Sequence, residues 1–156
     1  TDMTSDVGVT PPSTSECLED FIVIFGASLD PRLWLKLIKE ETEELLDEEP
    51  GTEEHLKEAA DLLYVLEGLD RVVLDFNTLL MGDEEFGEAD NIISEAESLV
   101  EAAETYYSFE VVHDAFLRVH ESNMSKLDDN GRPILRDDGK VLKGPNYKVP
   151  DLSDLV

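Results

Sequence analysis

Two short acidic segments hold the residue types best suited to chemistry. Residues 37–45 read Leu-Ile-Lys-Glu-Glu-Thr-Glu-Glu-Leu, and residues 56–64 read Leu-Lys-Glu-Ala-Ala-Asp-Leu-Leu-Tyr. Glu41 and Glu44 stand three apart, as do Glu58 and Asp61, and that spacing puts each pair on one face of a helix. The apolar stripe Trp34, Leu37, Ile38, Leu45 runs onto Glu41 and Glu44 when it is continued in steps of three and four. The stripe Leu62, Val65, Leu66, Leu69, Val73 runs backwards onto Glu58 and Asp61. Carboxylates gathered in a partly desolvated cleft repel one another and must take up protons or bind cations. An all-oxygen set suits Mg²⁺ or Mn²⁺, which bridges protein carboxylates to substrate phosphates and polarises a phosphoryl oxygen. The other reading is ordinary solvated helix surface in an acid-rich chain. The position of these acids on apolar stripes favours the inward-facing one.

The elements that must carry them follow from local signals. Ser15 is a candidate cap for a helix through Phe25, closed by Gly26. Asp30-Pro31 opens a second helix reaching about Glu49, where Pro50-Gly51 breaks it. Thr52 can cap a third, with Glu53 and Glu54 in its first turn, running to about Leu80 with a bend near Gly68. Met81 to Asp90 reads as an acidic loop, followed by helices over about 89–105 and 109–121. Helices joined by a short connection pack antiparallel, which would bring the two acidic pairs together. After Ser122 the pattern changes. Asp137-Asp138-Gly139 supplies the positive φ of a hairpin turn between Ile134-Leu135 and Val141-Leu142. The expectation is an all-α fold in one domain over residues 1–156: a loose arm at 1–15, a helical bundle of about 4–5 helices at 16–121, and a C-terminal β-hairpin and extended arm at 122–156.

Charge narrows the function. Thirty-eight acids face twelve bases, a formal net charge of −26. Such a chain does not bind a nucleic-acid polymer unaided, and an acidic, heavily solvated surface of the kind used in salt-rich cytoplasm is the plain explanation. The charge is uneven. Residues 118–156 carry seven bases and seven acids, so the whole net charge falls on residues 1–117. If the protein handles an anion, its cationic contacts come from the tail. No segment approaches the roughly 20 apolar residues of a membrane helix, and the single cysteine, Cys17, points to a reducing compartment. A cytoplasmic location is expected, or the host cytoplasm if the source is viral.

Glu-Glu-x-x-Glu-Leu at 40–45 followed by Glu-x-x-Asp-x-Leu-Tyr at 58–64 resembles the MazG-like all-α NTP pyrophosphohydrolases. That superfamily also holds phosphoribosyl-ATP pyrophosphatase and the dimeric dUTPases. The segments Phe116-Leu-Arg-Val-His-Glu-Ser-Asn-Met-Ser-Lys126, Asp138-Gly-Lys-Val-Leu-Lys-Gly-Pro-Asn-Tyr147 and Pro150-Asp151-Leu152 are similar to the tail of a small subgroup found in phages and prokaryotes. The resemblance spans about Asp20 to Leu152. It implies a homodimer or homotetramer and Mg²⁺ or Mn²⁺ held by Glu41, Glu44, Glu58 and Asp61. It gives Glu40 and Glu41 as the catalytic candidates, for metal ligation or for orienting the attacking water, without separating the two. Water would attack at the α–β linkage of a nucleoside triphosphate, releasing monophosphate and pyrophosphate. Asn123, Lys126, Lys143 and Tyr147 take substrate roles in this picture: the lysines towards phosphate oxygens, Tyr147 towards a base or sugar. Asn77 is a further substrate-binding candidate, balanced against an ordinary surface asparagine.

Within that resemblance the tail fits relatives acting on dGTP or GTP. Hydrolysis of dUTP or of damaged dNTPs stays open, and phosphoribosyl-ATP fits the tail poorly. Two readings of another class stand beside it: an acidic interaction protein or DNA mimic, and a nucleotide sensor without turnover. Trp34 reads as core rather than a stacking platform. His55, His113 and His120 lack zinc-site spacing, and Cys17 lacks an activating partner.

Overall fold

A computed structural model describes residues 10–76 and 83–156. Within them the chain is all-α, with five helices and one small hairpin. Helix α1 spans Thr14–Phe25, α2 Pro31–Leu46, α3 Glu53–Phe76, α4 Asp83–Tyr107 and α5 Phe109–Met124. Strands β1 (Ile134–Leu135) and β2 (Val141–Leu142) pair antiparallel, Ile134 opposite Leu142 and Leu135 opposite Val141. A single turn of 3₁₀ helix covers Ser153–Leu155.

Local chemistry sets the helix starts. Ser13, not Ser15, caps α1. The Glu16 N–H donates to the Ser13 hydroxyl and the Ser13 N–H to the Glu16 carboxylate, a reciprocal capping box. Ser15 is then free to meet Arg71 of α3. Gly26 closes α1 at φ 60°, and Asp30 accepts the Arg32 N–H ahead of Pro31. The acidic stretch expected as a loop is instead helical from residue 83 onward. Glu84 and Glu85 sit at the positive end of the α4 dipole, Ala89 is buried, and Glu85 pairs with Arg32 of α2 at 2.8 Å. The acids there start an amphipathic helix rather than line a loop. Residues 77–82, with Asn77, lie outside the described residues.

Helix α3 is the centre of the bundle and packs against the other four helices. Leu56, Ala59, Ala60 and Leu62 are fully buried at its start and Val72 further along. The helix runs unbroken across Gly68, where the glycine meets a packing requirement. A Cβ at Gly68 would stand 2.1 Å from Cζ3 of Trp34. Gly68 is the seat of the indole, whose Nε1–H donates to the Ser28 carbonyl at 2.9 Å.

The tail is strapped down. The Ser122 hydroxyl donates to the Lys148 carbonyl at 2.6 Å, and the Lys148 N–H to the Ser125 hydroxyl at 2.9 Å. Leu152 is fully buried, and its N–H donates to the Glu53 carboxylate on the first turn of α3. These bonds return the tail along α5 to the bundle.

Gly68→Ala is expected to destabilise the chain. Ala gains about 1 kcal/mol of helix propensity over Gly, but overpacking against the indole costs about 1–3 kcal/mol. A lower urea midpoint checks this; an unchanged or higher midpoint would show that the indole moves aside freely.

Candidate metal and anion site

Helices α2 and α3 bring their acidic pairs to one end of a cavity of about 310 Å³, within the roughly 300–1,000 Å³ range of small-molecule sites. One carboxylate oxygen each from Glu41, Glu44 and Glu58 lie within 4.8 Å of one another. Oxygens on opposite sides of a Mg²⁺ stand about 4 Å apart, so small rotamer changes would close the three onto one ion. Asp61, the fourth expected ligand, is next to this group but engaged: its carboxylate accepts from Lys57 Nζ at 2.7 Å.

The carboxylates of this cluster are only partly compensated by the lysines around them. Burial pushes Glu41 up to about 10, helped by a hydrogen bond with Glu44 and by the charges of Asp61, Glu44 and Glu58. Burial and Asp61 push Glu58 up as well, and Lys57 only partly opposes them. Glu58 Oε1 is buried with no hydrogen-bond partner. A buried carboxylate oxygen without a partner carries a desolvation cost, and it lies where a cation would meet it. The donor set fits a hard divalent ion: all oxygen, several negative charges, one oxygen bare.

Cations line the same cavity: Lys57 of α3, Lys126 beyond α5, Lys140 of the hairpin and Lys143 of the tail. Burial pushes the Lys126 ammonium below its ordinary pKa, so a bound anion would hold its charge. Lys143 Nζ lies 4.9 Å and Lys126 Nζ 5.9 Å from the Tyr147 ring centroid, both in cation–π range. This convergence needs Gly144, because a Cβ there would stand 2.7 Å from the Leu127 carbonyl oxygen and 2.9 Å from that of Lys126. Phe21, Leu33, Trp34 and Val65 close the cavity with apolar surface. The Tyr64 hydroxyl bonds His120 Nδ1 at 2.8 Å, and Tyr64 and Asn123 both line the cavity.

Eight of the residues read from the sequence therefore line one cavity: Glu41, Glu44, Glu58, Asp61, Asn123, Lys126, Lys143 and Tyr147. Glu40 does not. Its oxygens face Arg136 at 3.4 Å and Lys140 at 3.5 Å, which parts its position from that of Glu41. Trp34 is buried, as expected of core, and yet forms part of the wall. Lys57 and Lys140 were not picked out from the sequence. Lys57 has a readable signal, its i,i+4 spacing to Asp61; Lys140 has none until the hairpin is docked. No family model, curated protein or solved structure matches this chain.

Two outcomes are expected. Glu41 has a folded-state pKa raised above its unfolded value, so its stabilising contribution is full below about pH 4.5 and is lost as pH rises towards about 10. In chelator, Glu41→Gln should therefore melt higher than the parent, with a gap that widens from pH 5 to pH 9. About 2–4 °C accompanies each kcal/mol in a chain of this size. Added Mn²⁺ should raise the parent and not the variant; equal shifts in both would remove Glu41 from the site. Gly144→Ala should push the tail off the 126–127 backbone and weaken anion binding, measured by titration with inorganic pyrophosphate; undiminished binding would show that the lysines converge without it.

Proposed function

We propose that the protein is a Mg²⁺- or Mn²⁺-dependent nucleoside triphosphate pyrophosphohydrolase, converting a (d)NTP and water to the monophosphate and pyrophosphate. The observation that carries this reading is the joining, in one cavity, of a three-glutamate cluster with a buried unpartnered oxygen to a wall of lysines. The carboxylates suit a divalent cation and the lysines an anion. A metal–polyphosphate complex presents both.

A bound divalent ion would neutralise the carboxylates and polarise a phosphoryl oxygen. The chain's own residues do the rest. Lys126 and Lys143 hold phosphate oxygens by charge-assisted hydrogen bonds. Glu41 orients the attacking water and accepts its proton once its own proton has been displaced, a role that requires hydrogen-bond reach to that water. Asn123 offers an amide to the sugar or base. The apolar walls take the base, and the tail resemblance favours a purine such as dGTP or GTP. dUTP or a damaged dNTP is the alternative within the same chemistry. In this reading Mg²⁺ or Mn²⁺ is the only cofactor and the location is cytoplasmic. Exposed Val23, Ile24 and Leu74 offer apolar surface for a homodimer or homotetramer. No helix among the described residues is long and apolar enough to cross a membrane.

Chromatographic analysis of each NTP and dNTP incubated with the protein, with either metal or with chelator, tests the proposal. The expected products are monophosphate and pyrophosphate, absent in chelator. Glu41→Gln should lower turnover about 100-fold or more, in line with loss of a general base. Lys126→Ala should mainly raise KM, about tenfold or more for a lost charged hydrogen bond. No turnover of any nucleotide from low to molar salt would overturn the hydrolase reading. Binding without turnover would then indicate a nucleotide sensor, and no binding an acidic interaction protein.

A further inference from the structure

The hairpin that supplies Lys140 to the cavity is very small, with two residues in each strand. Such a unit is not stable alone and must be held by what it packs on. Its apolar hold is limited. Val141 is buried in the core, while Leu135 on the other strand is half exposed. Gly139 rests against Leu33 and Ser28. Ile134 and Leu142 are half-buried, and an ionic attachment goes to α2. Lys36 and Glu40 are four residues apart, so they share a face, with Glu41 about 100° further round the helix. Lys36 Nζ meets Asp138 at 2.6 Å. Asp138 also pairs with Arg136. Arg136 in turn meets one oxygen of Glu40, and Lys140 meets the other. The signs alternate along the whole chain of contacts: Lys36, Asp138, Arg136, Glu40, Lys140.

We propose that Glu40 is a positioning residue and not a metal ligand: by pairing with Arg136 and Lys140 it fastens the hairpin to α2, and so fixes the wall from which Lys140 and Lys143 face the cavity. Its Oε2 lies 3.4 Å from Arg136 and its Oε1 3.5 Å from Lys140, and it stands outside the cluster of Glu41, Glu44 and Glu58 oxygens. Single exposed ion pairs contribute little; here four contacts join five charges into one network, and the element they hold is only two residues per strand. The fastening puts Glu40 one residue from Glu41, so the hairpin wall is set from the same turn of helix that carries the cation-facing carboxylates. It also makes the wall salt-sensitive, since the screening length falls from about 10 Å at 0.1 M to about 3 Å at 1 M salt. The consequence for nucleotide binding rests on the pyrophosphohydrolase reading; the fastening itself does not.

The test uses the full chain and three readouts on the parent, Glu40→Gln, Arg136→Met, the double variant and Glu41→Gln. Backbone amide exchange reports hairpin seating through the Arg136 and Gly139 N–H groups, which donate to the Lys140 and Arg136 carbonyls. Mn²⁺ titration reports the carboxylate site. Binding of a non-hydrolysable dGTP analogue reports the wall. Glu40→Gln should speed those amides about tenfold, a local opening rather than a global one, and leave Mn²⁺ affinity within about twofold of the parent while Glu41→Gln loses it. Arg136→Met should add less to Glu40→Gln than it does to the parent, because they share one contact. High salt should speed the same amides in the parent and have less effect in Glu40→Gln. Mn²⁺ affinity lost in Glu40→Gln as in Glu41→Gln, with the hairpin amides still protected, would overturn the proposal and make Glu40 a ligand. Unchanged amide exchange would overturn it in favour of Val141 packing alone. Analogue affinity should fall about tenfold in Glu40→Gln with Mn²⁺ affinity kept. If the parent binds no nucleotide, the hydrolase reading fails, and amide exchange and Mn²⁺ titration still decide the fastening.

Discussion

Repulsion among Glu41, Glu44 and Glu58 is the interaction on which the rest of the site depends. Three carboxylates do not gather within a few ångströms by mutual preference. They are brought there because the apolar stripes of α2 and α3 pack together, and each acidic pair continues its stripe. Burial of Leu37, Ile38 and Leu45 on one helix, and of Leu56, Leu62 and Leu66 on the other, outweighs the cost of crowding the acids at the rim. The fold thus holds a region of negative potential in place before any cation arrives. Burial and that potential both favour protons on Glu41 and Glu58, and Glu58 Oε1 is buried without a hydrogen-bond partner.

A second constraint acts across the molecule. The net charge of −26 lies outside the C-terminal tail, so the bundle alone would repel a polyphosphate at long range. The tail reverses the sign locally. It returns along α5, pinned through Ser122, Ser125 and Leu152, and delivers Lys126, Lys140 and Lys143 to the cavity that the carboxylates line. Two regions of opposite sign then share one small cavity.

The packing that holds these groups rests on close approaches that leave little slack. Gly68 lets the Trp34 indole lie flat against α3, and Gly144 lets the tail lie on the 126–127 backbone. Neither glycine touches a carboxylate. Each sets how near two segments come, and so sets the cavity between them.

Much of this was legible in the sequence, because it depends on local order. Helical spacing fixes which residues share a face, so the all-α bundle, the stripe-aligned acids and the Asp-Gly hairpin followed from periodicity and turn chemistry. Caps were less secure: Ser15 was read as the cap of α1, whereas the reciprocal hydrogen bonds between Ser13 and Glu16 put it two residues earlier. The acidic stretch at 83–90 looked like a loop because composition does not reveal that Ala89 is buried. The packing role of Gly68 was hidden because a sequence does not show the ring lying against it. Glu40 and Glu41 could not be separated by motif, since adjacent residues carry the same side chain; they part only because a helix turns about 100° per residue, sending one towards the carboxylate cluster and the other towards a hairpin almost a hundred residues along the chain. Sequence by itself determined the kinds of groups and the faces they share. Which charges meet was decided by tertiary structure, because the cost of a buried charge depends on neighbours that only packing supplies.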